Sequence, residues 1–260
     1  MLLAIDVGNT QTHIGVFRGD ELSRQWRAST DPRRTGDEHA LMVDQFLSMD
    51  GLSFDDITGV CICSVVPRTT QELVEMTGRY FRFPPVVVAP GIKTGVAVKI
   101  DNPREVGADR VANAVAAHSM FPGEPVIVVD FGTATTLDVV SAEGEYLGGS
   151  IAPGIDTAAS GLYEATAQIR RVELKAPPAA VGRNTSAAVQ SGLVFGTAGL
   201  VDGLVERAVK ELGGHARVIA TGGLAHPIVE HTHTIERIEP TLTLVGLRLI
   251  YERNDDEGTD

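Results

Sequence analysis

A short stretch at the beginning of the chain carries residue types that suit the binding of a phosphate group. Residues 2–17 read LLAIDVGNTQTHIGVF, so Asp6 and a polar turn lie between two apolar runs. Gly8 allows the backbone to approach a ligand closely, and amides near it, with the hydroxyls of Thr10 and Thr12, can donate to anionic oxygens. Asp6 can face Mg²⁺, directly or through water. A tight β-hairpin uses the same residues without any ligand, so this stretch alone leaves both interpretations open.

The same pattern recurs near the middle of the chain. Residues 126–140 read VIVVDFGTATTLDVV, in which Asp130, Gly132 and three threonines again separate two apolar runs. Two such hairpins in one chain predict a duplicated domain whose halves face each other across a cleft.

Three further motifs lie between and after the two hairpins. Residues 101–110 read DNPREVGADR, residues 148–154 read GGSIAPG, and residues 221–223 read TGG. With the hairpins, and in this order, they resemble the type III pantothenate kinases of the acetate/sugar kinase, Hsp70 and actin superfamily. The resemblance runs from Met1 to about Tyr251, and its most specific part is the Asn-Pro…Gly-Ala-Asp-Arg segment. It implies an α/β fold of two duplicated ribonuclease H-like (actin-like ATPase) domains with a cleft between them.

The resemblance also implies an activity. Members of this family use ATP to phosphorylate the primary hydroxyl of pantothenate, the first step towards coenzyme A. The implied cofactors are ATP, Mg²⁺ and a monovalent cation, K⁺ or NH₄⁺, which the family requires. The family is dimeric, so the implied partner is a second copy of the chain, with the acceptor site at the interface.

Asp109 is the candidate catalytic base. Phosphoryl transfer needs a group that takes a proton from the acceptor hydroxyl, and the acid of this motif is the family's proton acceptor. By residue type alone, an Asp-Arg pair at a helix start is more typical of a capping acid and a surface ion pair. The resemblance implies that Gly107, Ala108, Asp109 and Arg110 line the pantothenate pocket. In that role Arg110 would meet a polar or anionic part of the substrate.

Two more substrate positions follow from the resemblance. Thr185 matches a family threonine that reaches the pocket from the partner subunit. Thr185 can equally serve as the N-cap of a helix that begins at Ser186, and both roles can hold at once. At the position of Ile100 the family commonly has an aromatic residue, usually tyrosine, that contacts pantothenate. This departure puts one substrate contact in question, but not the chemistry.

The ATP-binding residues implied by the resemblance lie in the two hairpins. From the first hairpin they are Asp6, Val7, Gly8, Asn9, Thr10, Gln11, Thr12 and His13, and from the second Thr133.

Asp130 and the glycine motif each have more than one interpretation. As the mirror of Asp6, Asp130 is a candidate for a second metal-facing carboxylate, whereas the resemblance implies that it binds the monovalent cation. It can also be an acid that merely closes a hairpin. Residues 221–223 resemble the family's adenosine-side loop, although an ordinary strand-to-helix turn has the same composition.

Composition limits the other function classes. The chain has 260 residues, of which 43% are hydrophobic and 22% charged, enough for one or two domains with cores. Its net charge of −12 argues against a nucleic-acid partner, which requires a basic face. We expect no signal peptide, because Asp6 interrupts the first apolar run, and no apolar window long enough to span a membrane. Two cysteines, Cys61 and Cys63, fit a reducing compartment, so a cytoplasmic protein is predicted.

The elements that position these residues follow a repeated order. Periodicity predicts strands and helices in the order βββαβα for each half. In the first half, residues 35–38 are predicted to form a capping box before a helix over residues 40–47, and a second helix is predicted from Thr69 to Tyr80. We place the halves at residues 1–112 and 113–253, followed by an acidic, disordered tail at 254–260. Residues 170–184, which contain Pro177 and Pro178, predict a mobile loop over a site.

Three alternatives accompany this interpretation. The C-x-C pair at Cys61 and Cys63 is a weak metal-site candidate, since no second pair exists, and a buried strand is favoured. Another small-alcohol kinase or a polyphosphate phosphatase of the superfamily would keep both hairpins. A non-catalytic accessory factor for transcription is the third alternative, but it would have no need of Asp109.

Overall fold

A computed structural model describes residues 1–166 and 169–255 of the chain. Its strands and helices are, in chain order, β1 (Leu2–Val7), β2 (Gln11–Arg18), β3 (Glu21–Ser29), α1 (Gly36–Met49), β4 (Gly59–Ser64), α2 (Pro67–Met76), β5 (Val86–Val87), β6 (Ala97–Val98), α3 (Ala108–Met120), β7 (Val126–Phe131), β8 (Ala134–Val140), β9 (Glu145–Pro153), α4 (Ile155–Ala165), α5 (Thr185–Glu211), β10 (Arg217–Thr221), α6 (His226–Val229), β11 (Arg237–Ile238) and α7 (Leu242–Asp255).

The chain forms two compact units. The first contains Met1–Ala116 and the chain end from Leu242, and the second contains Ala117–Thr241. The predicted halves, 1–112 and 113–253, differ from these units mainly in the last helix, which belongs to the first unit.

The first unit is built on a sheet in the order β3-β2-β1-β4-β5. The β1–β2 and β2–β3 pairs are antiparallel, and β4 lies parallel to both β1 and β5. The side chains of alternate residues in β1 point to opposite faces of the sheet. Leu3, Ile5 and Val7 join a core that includes Val43 and Leu47 of α1. Asp6 lies on the opposite face, level with Cys63 of β4.

Helix α7 packs on β1, β2 and β4, although it follows β1 by more than two hundred residues. Glycines allow this close approach. A Cβ on Gly59 would overlap the ring of Tyr251, and a Cβ on Gly246 would overlap the carbonyl of Ala112 in α3. Asn254, in the last turn, donates from Nδ2 to the carbonyl of Lys93 at 2.8 Å. The predicted tail therefore begins too early: residues 254 and 255 are helical, and residues 256–260 lie outside the described residues.

The second unit repeats this architecture. Its strands lie in the order β9-β8-β7-β10-β11. The β7–β8 and β8–β9 pairs are antiparallel, and β10 lies parallel to both β7 and β11. The order and strand directions match those of β3-β2-β1-β4-β5 one for one. Both predicted hairpins are confirmed, and so is the duplication.

Two helices differ from the sequence-based expectation. Helix α2 ends at Met76, where the chain continues as a π-helical turn, Thr77–Phe81, instead of extending to Tyr80. Helix α5 contradicts the expectation that no apolar window reaches the length of a membrane span: it has 27 residues and is apolar enough by composition. One third of that window is buried, and core helices of soluble proteins meet the same criterion, so the finding is weak evidence for a membrane span.

Candidate active site

In both polar turns the glycine donates its amide to a backbone carbonyl across the loop. In the first, Gly8 donates its amide to the carbonyl of Gln11 at 3.0 Å. In the second, Gly132 donates to the carbonyl of Ala134, also at 3.0 Å. The first loop is therefore one residue longer, and its tip, Asn9 and Thr10, is exposed. Both loops follow a buried strand, so each is a short exposed turn on a rigid support.

Asp6 lies one residue before the end of β1, beside Cys63. The Cys63 thiol donates to Asp6 Oδ1 at 3.1 Å. Burial raises the pKa of Asp6 to about 7; the thiol hydrogen bond opposes this rise and the nearby carboxylate of Asp109 adds to it. The fold therefore brings together two acids that are about a hundred residues apart in the sequence.

Thr12 is placed differently from the expectation. It is 2% exposed, and its hydroxyl oxygen lies 2.9 Å from that of Thr30. Thr30 donates in turn to the carbonyl of Gly8 at 2.8 Å. Thr12 is thus engaged inside the unit, whereas Thr10 lies at the exposed tip. His13 is partly exposed, and its Nε2 lies 3.0 Å from Gln25 Oε1 on β3.

Asp109 lies in the first turn of α3. Its Oδ1 accepts a hydrogen bond from the backbone amide of Arg110 at 2.8 Å. The same oxygen lies so close to Gly107 that a Cβ there would overlap it, which explains a glycine at this position. Residues 107–110 are all partly buried, as is Ile100 in the preceding loop. The predicted acceptor residues therefore share one short segment that leads into a helix.

Asp130 occupies the position in the second unit that Asp6 has in the first. It pairs with Thr221 across β7 and β10. Gly222, with a φ of 95°, faces it, and a Cβ on Gly222 would lie 2.5 Å from Asp130 Oδ1 and 2.6 Å from the carbonyl oxygen of Phe131. The Thr-Gly-Gly turn thus packs directly against this acid.

Thr133 lies at the exposed tip of the second loop. Its carbonyl accepts hydrogen bonds from the amide of Gly154 at 3.1 Å and from the hydroxyl of Thr157 at 2.7 Å. Both donors belong to the start of α4, so this helix fixes the backbone of the loop.

Thr185 is the first residue of α5, but it is not the cap. Asn184 is the N-cap residue, and its side chain accepts from the amide of Ala187 at 2.8 Å. Thr185 is exposed and lines an apolar groove of about 510 Å³. The groove is also lined by Ala158, Leu162, Ile169, Ala188, Val189, Gly192 and Leu193.

The side chains of the described residues limit the kinds of metal site in this part of the chain. Among the described residues, no group of three or more histidine, cysteine or acidic side chains could hold a metal ion. Cys61 and Cys63 are free and buried, and burial raises the pKa of both thiols. The C-x-C pair therefore lacks the exposed thiolates of a zinc site. Mg²⁺ does not require such a cluster, because one or two carboxylates together with substrate phosphates are enough to bind it.

Comparison with known sequences identifies relatives over almost the whole chain. The family model for type III pantothenate kinase matches residues 2–207. The type III pantothenate kinase of Frankia alni is 54% identical over 255 residues, which cover 98% of this chain and 100% of that protein. The enzyme of the same name from Moorella thermoacetica is 50% identical, with 98% and 100% of the two chains covered.

Comparison with solved structures agrees on the fold. A protein from Campylobacter jejuni described as a Baf family transcriptional activator has a TM-score of 0.59 at 20% identity, with 98% and 99% of the two chains covered. The polyphosphate/ATP-glucomannokinase of Arthrobacter sp. strain KM has a TM-score of 0.50 at 15% identity and covers 98% of each chain. These identities are low enough that the likeness concerns the fold alone. The predicted ribonuclease H-like, actin-like ATPase fold is confirmed.

Proposed function

The chain belongs to the type III pantothenate kinase family, and we propose that Asp109 and two phosphate loops carry its ATP-dependent phosphorylation of pantothenate. The product, 4′-phosphopantothenate, is the first intermediate of coenzyme A biosynthesis. One observation carries the assignment of roles. The acid of the first loop, Asp6, and the acid of the acceptor segment, Asp109, lie near each other in one unit: burial raises the pKa of Asp6, and the charge of Asp109 adds to that rise.

The proton of the acceptor hydroxyl passes to the Asp109 carboxylate as the hydroxyl oxygen attacks the γ-phosphorus of ATP. The bond between that phosphorus and the bridging oxygen of ADP breaks, and ADP leaves. Asp109 suits this role because its carboxylate is held against Gly107 by the amide of Arg110. Positioning of this kind supports general-base catalysis.

Mg²⁺ fits the carboxylate of Asp6. Asp6 is partly buried and lies near the carboxylate of Asp109, so their negative charges repel each other, and a divalent cation offsets that repulsion. When bound with ATP, Mg²⁺ neutralises charge that develops on the transferred phosphoryl group. We assign residues 7–13, with the hydroxyl of Thr10 at the exposed tip, to the binding of the ATP phosphates, and we assign Thr133 to ATP binding as well.

We assign the monovalent cation, K⁺ or NH₄⁺, to Asp130. The surroundings of this carboxylate support the assignment, since Gly222 brings the backbone close to it and the carbonyl oxygen of Phe131 lies beside it. Carboxylate and carbonyl oxygens are suitable ligands for hard cations.

Pantothenate contacts are assigned to residues 107–110 and Ile100, with Thr185 reaching the pocket from a partner subunit. This arrangement requires a homodimer with the acceptor site at its interface. We place the enzyme in the cytoplasm with no nucleic-acid or membrane partner, for which the net charge of −12 and two free cysteines give support.

The test measures ADP release in the presence and absence of pantothenate, with a panel of other small alcohols and with polyphosphate. ATP turnover should depend on pantothenate. Asp109→Asn should lower kcat by about 10²-fold or more, while Mg·ATP binding measured by calorimetry is retained. Asp44→Asn, an exposed acid on α1, is the control. An Asp109→Asn rate within about threefold of the parent enzyme would remove the general-base role.

A further inference from the structure

We infer that Thr30 is a positioning residue of the ATP site, which locks the first phosphate loop in the shape that presents the amide of Asn9 to the ligand. Thr30 follows β3 directly and lies outside every motif that identified the site. The inference rests on the proposed role of the first loop in binding ATP phosphate.

Thr30 makes three contacts with the loop. Its backbone amide donates to the carbonyl of Thr10 at 3.0 Å. Its hydroxyl donates to the carbonyl of Gly8 at 2.8 Å. The same hydroxyl lies 2.9 Å from that of Thr12. One residue therefore holds both ends of the exposed tip.

The direction of the third hydrogen bond follows from counting protons. A hydroxyl carries one proton, and Thr30 uses its own on the carbonyl of Gly8. Thr12 must then be the donor in the contact between the two hydroxyls. The chain of donation runs from Thr12 to Thr30 to the Gly8 carbonyl, which explains why a buried threonine follows the loop.

Holding the Gly8 carbonyl also fixes the next amide. The peptide group is planar, and in a trans peptide the carbonyl and the following N–H point in opposite directions; none of the described peptides is cis. Because the Gly8 carbonyl faces Thr30, the N–H of Asn9 faces away from β3. A loop amide fixed in this way is a donor for an anionic oxygen.

The contacts of Thr30 preorganise the first loop for ATP binding. Asn9 and Thr10 are exposed, and fixing the backbone of a flexible residue costs conformational entropy. If the loop is ordered before ATP arrives, that cost does not reduce the affinity for ATP. A defect at Thr30 should therefore weaken nucleotide binding and leave the acceptor side unchanged.

The test compares Thr30→Val, which removes the hydroxyl at constant shape, with Thr30→Ser, which keeps it. Thr77→Val is the matched control, because the Thr77 hydroxyl also donates to a backbone carbonyl, that of Leu73, at 2.8 Å. The measurements are KM for ATP, KM for pantothenate, the dissociation constant for Mg·ADP by calorimetry, and the melting temperature.

Thr30→Val should raise KM for ATP and the Mg·ADP dissociation constant about tenfold, with KM for pantothenate changed less than about twofold. Thr30→Ser should recover most of this loss. Thr77→Val should lower the melting temperature and leave both KM values unchanged. The inference is overturned if folded Thr30→Val, or Thr30→Ala in its place, binds Mg·ADP like the parent enzyme. Asp6→Ala distinguishes a failure of this inference from a failure of the proposed function. If Mg·ADP binding is unchanged in Asp6→Ala as well, the proposed role of the first loop in ATP binding fails, and not only the role of Thr30.

Discussion

His39 is a histidine held neutral inside the first unit. Its side chain is 2% exposed, and neither ring nitrogen has a hydrogen-bond partner among the described residues. Burial, assisted by the charge of Arg34, lowers the pKa of His39 to about 4, while Glu72 and Glu38 oppose the shift. His39 therefore binds a proton less readily in the folded protein than in the unfolded chain, where the pKa of a histidine is about 6.5.

This difference predicts how stability depends on pH. The folded pKa lies below the unfolded one, so the unfolded state binds more protons between pH 6.5 and 4, and the free energy of unfolding falls as the pH falls through that range. The contribution of His39 should be on the order of 3 kcal/mol over the full range. Asp6, whose pKa is raised, has a slope of opposite sign.

Comparing the parent protein with a His39 variant isolates the contribution of the histidine to stability, because Asp6 contributes equally in both proteins. The difference in urea unfolding free energy between the parent protein and His39→Leu should move in favour of the variant by about 2 kcal/mol from pH 7 to pH 5. Equal differences at both pH values would show that His39 does not titrate as a buried group.

Single residues also mark where sequence reasoning reached its limit. The residue types of the first loop predicted a hairpin with exposed donors, and Thr10 is such a residue. Thr12 has the same hydroxyl in the same segment, yet the fold places Thr30 beside it. Likewise nothing in the sequence places the Cys63 thiol on Asp6, because that contact arises from the register of two strands that are far apart in the chain.

At the scale of elements, the turn between β10 and α6 is shaped by its contact with Asp130. Gly222 combines a φ of 95° with a backbone position against the carboxylate. A side chain there would meet both an unfavourable backbone conformation and the Oδ1 atom. The turn is thus a support for the proposed cation site as well as a connection between two elements.

Gly222→Ala tests this role against a matched glycine. Gly213 has a φ of 89°, but a Cβ there meets nothing within 4 Å. Gly213→Ala should cost about 1 kcal/mol of stability from backbone strain alone. Gly222→Ala should cost at least about 2 kcal/mol, because the collision adds to the strain. It should also raise the K⁺ concentration needed for half-maximal activity. Equal effects of the two variants on stability and on K⁺ activation would show that the contact with Asp130 is unimportant.

The elements themselves were predictable where the signal is local. The capping box at the start of α1 is confirmed, with Thr35 accepting from the Glu38 amide at 3.4 Å and donating its own amide to Glu38 Oε2 at 2.8 Å. The end of α2 was not predictable, because no proline follows Met76 closely and the chain continues without a break as the π-helical turn Thr77–Phe81. The apolar character of α5 was missed because glycines and threonines interrupt its aliphatic residues.

At the scale of the whole molecule, the last helix, α7, packs against the first strand, β1. The duplicated order of strands follows from two similar sequence patterns, so the architecture was predictable. The placement of α7 was not, because its apolar periodicity suits any sheet. Gly59 leaves room for the ring of Tyr251, and Gly246 leaves room for the backbone of Ala112, so α7 packs closely on the first unit. Truncation before residue 242 should therefore damage the unit that holds Asp6 and Asp109.

The proposed dimer leads to the last prediction. If Asp109 acts on one subunit and Thr185 reaches the same pocket from the other, neither subunit has a complete acceptor site. Thr185 is exposed at the start of α5, beside the apolar groove, so Thr185→Trp places bulk at the surface with little effect on the core. Asp109→Asn removes the base. Each variant should have little activity as a homodimer.

Co-expression of the two variants should restore activity. In a two-fold symmetric dimer, one site of the heterodimer combines both substitutions, and the other combines the intact Asp109 with the intact Thr185. Distant sites usually act independently, so the heterodimer, purified through two different tags, should show about half the activity of the parent dimer. Co-expression is needed because a tight dimer does not exchange chains on mixing. If folded heterodimers are no more active than the two variant homodimers, the acceptor site is not shared between subunits.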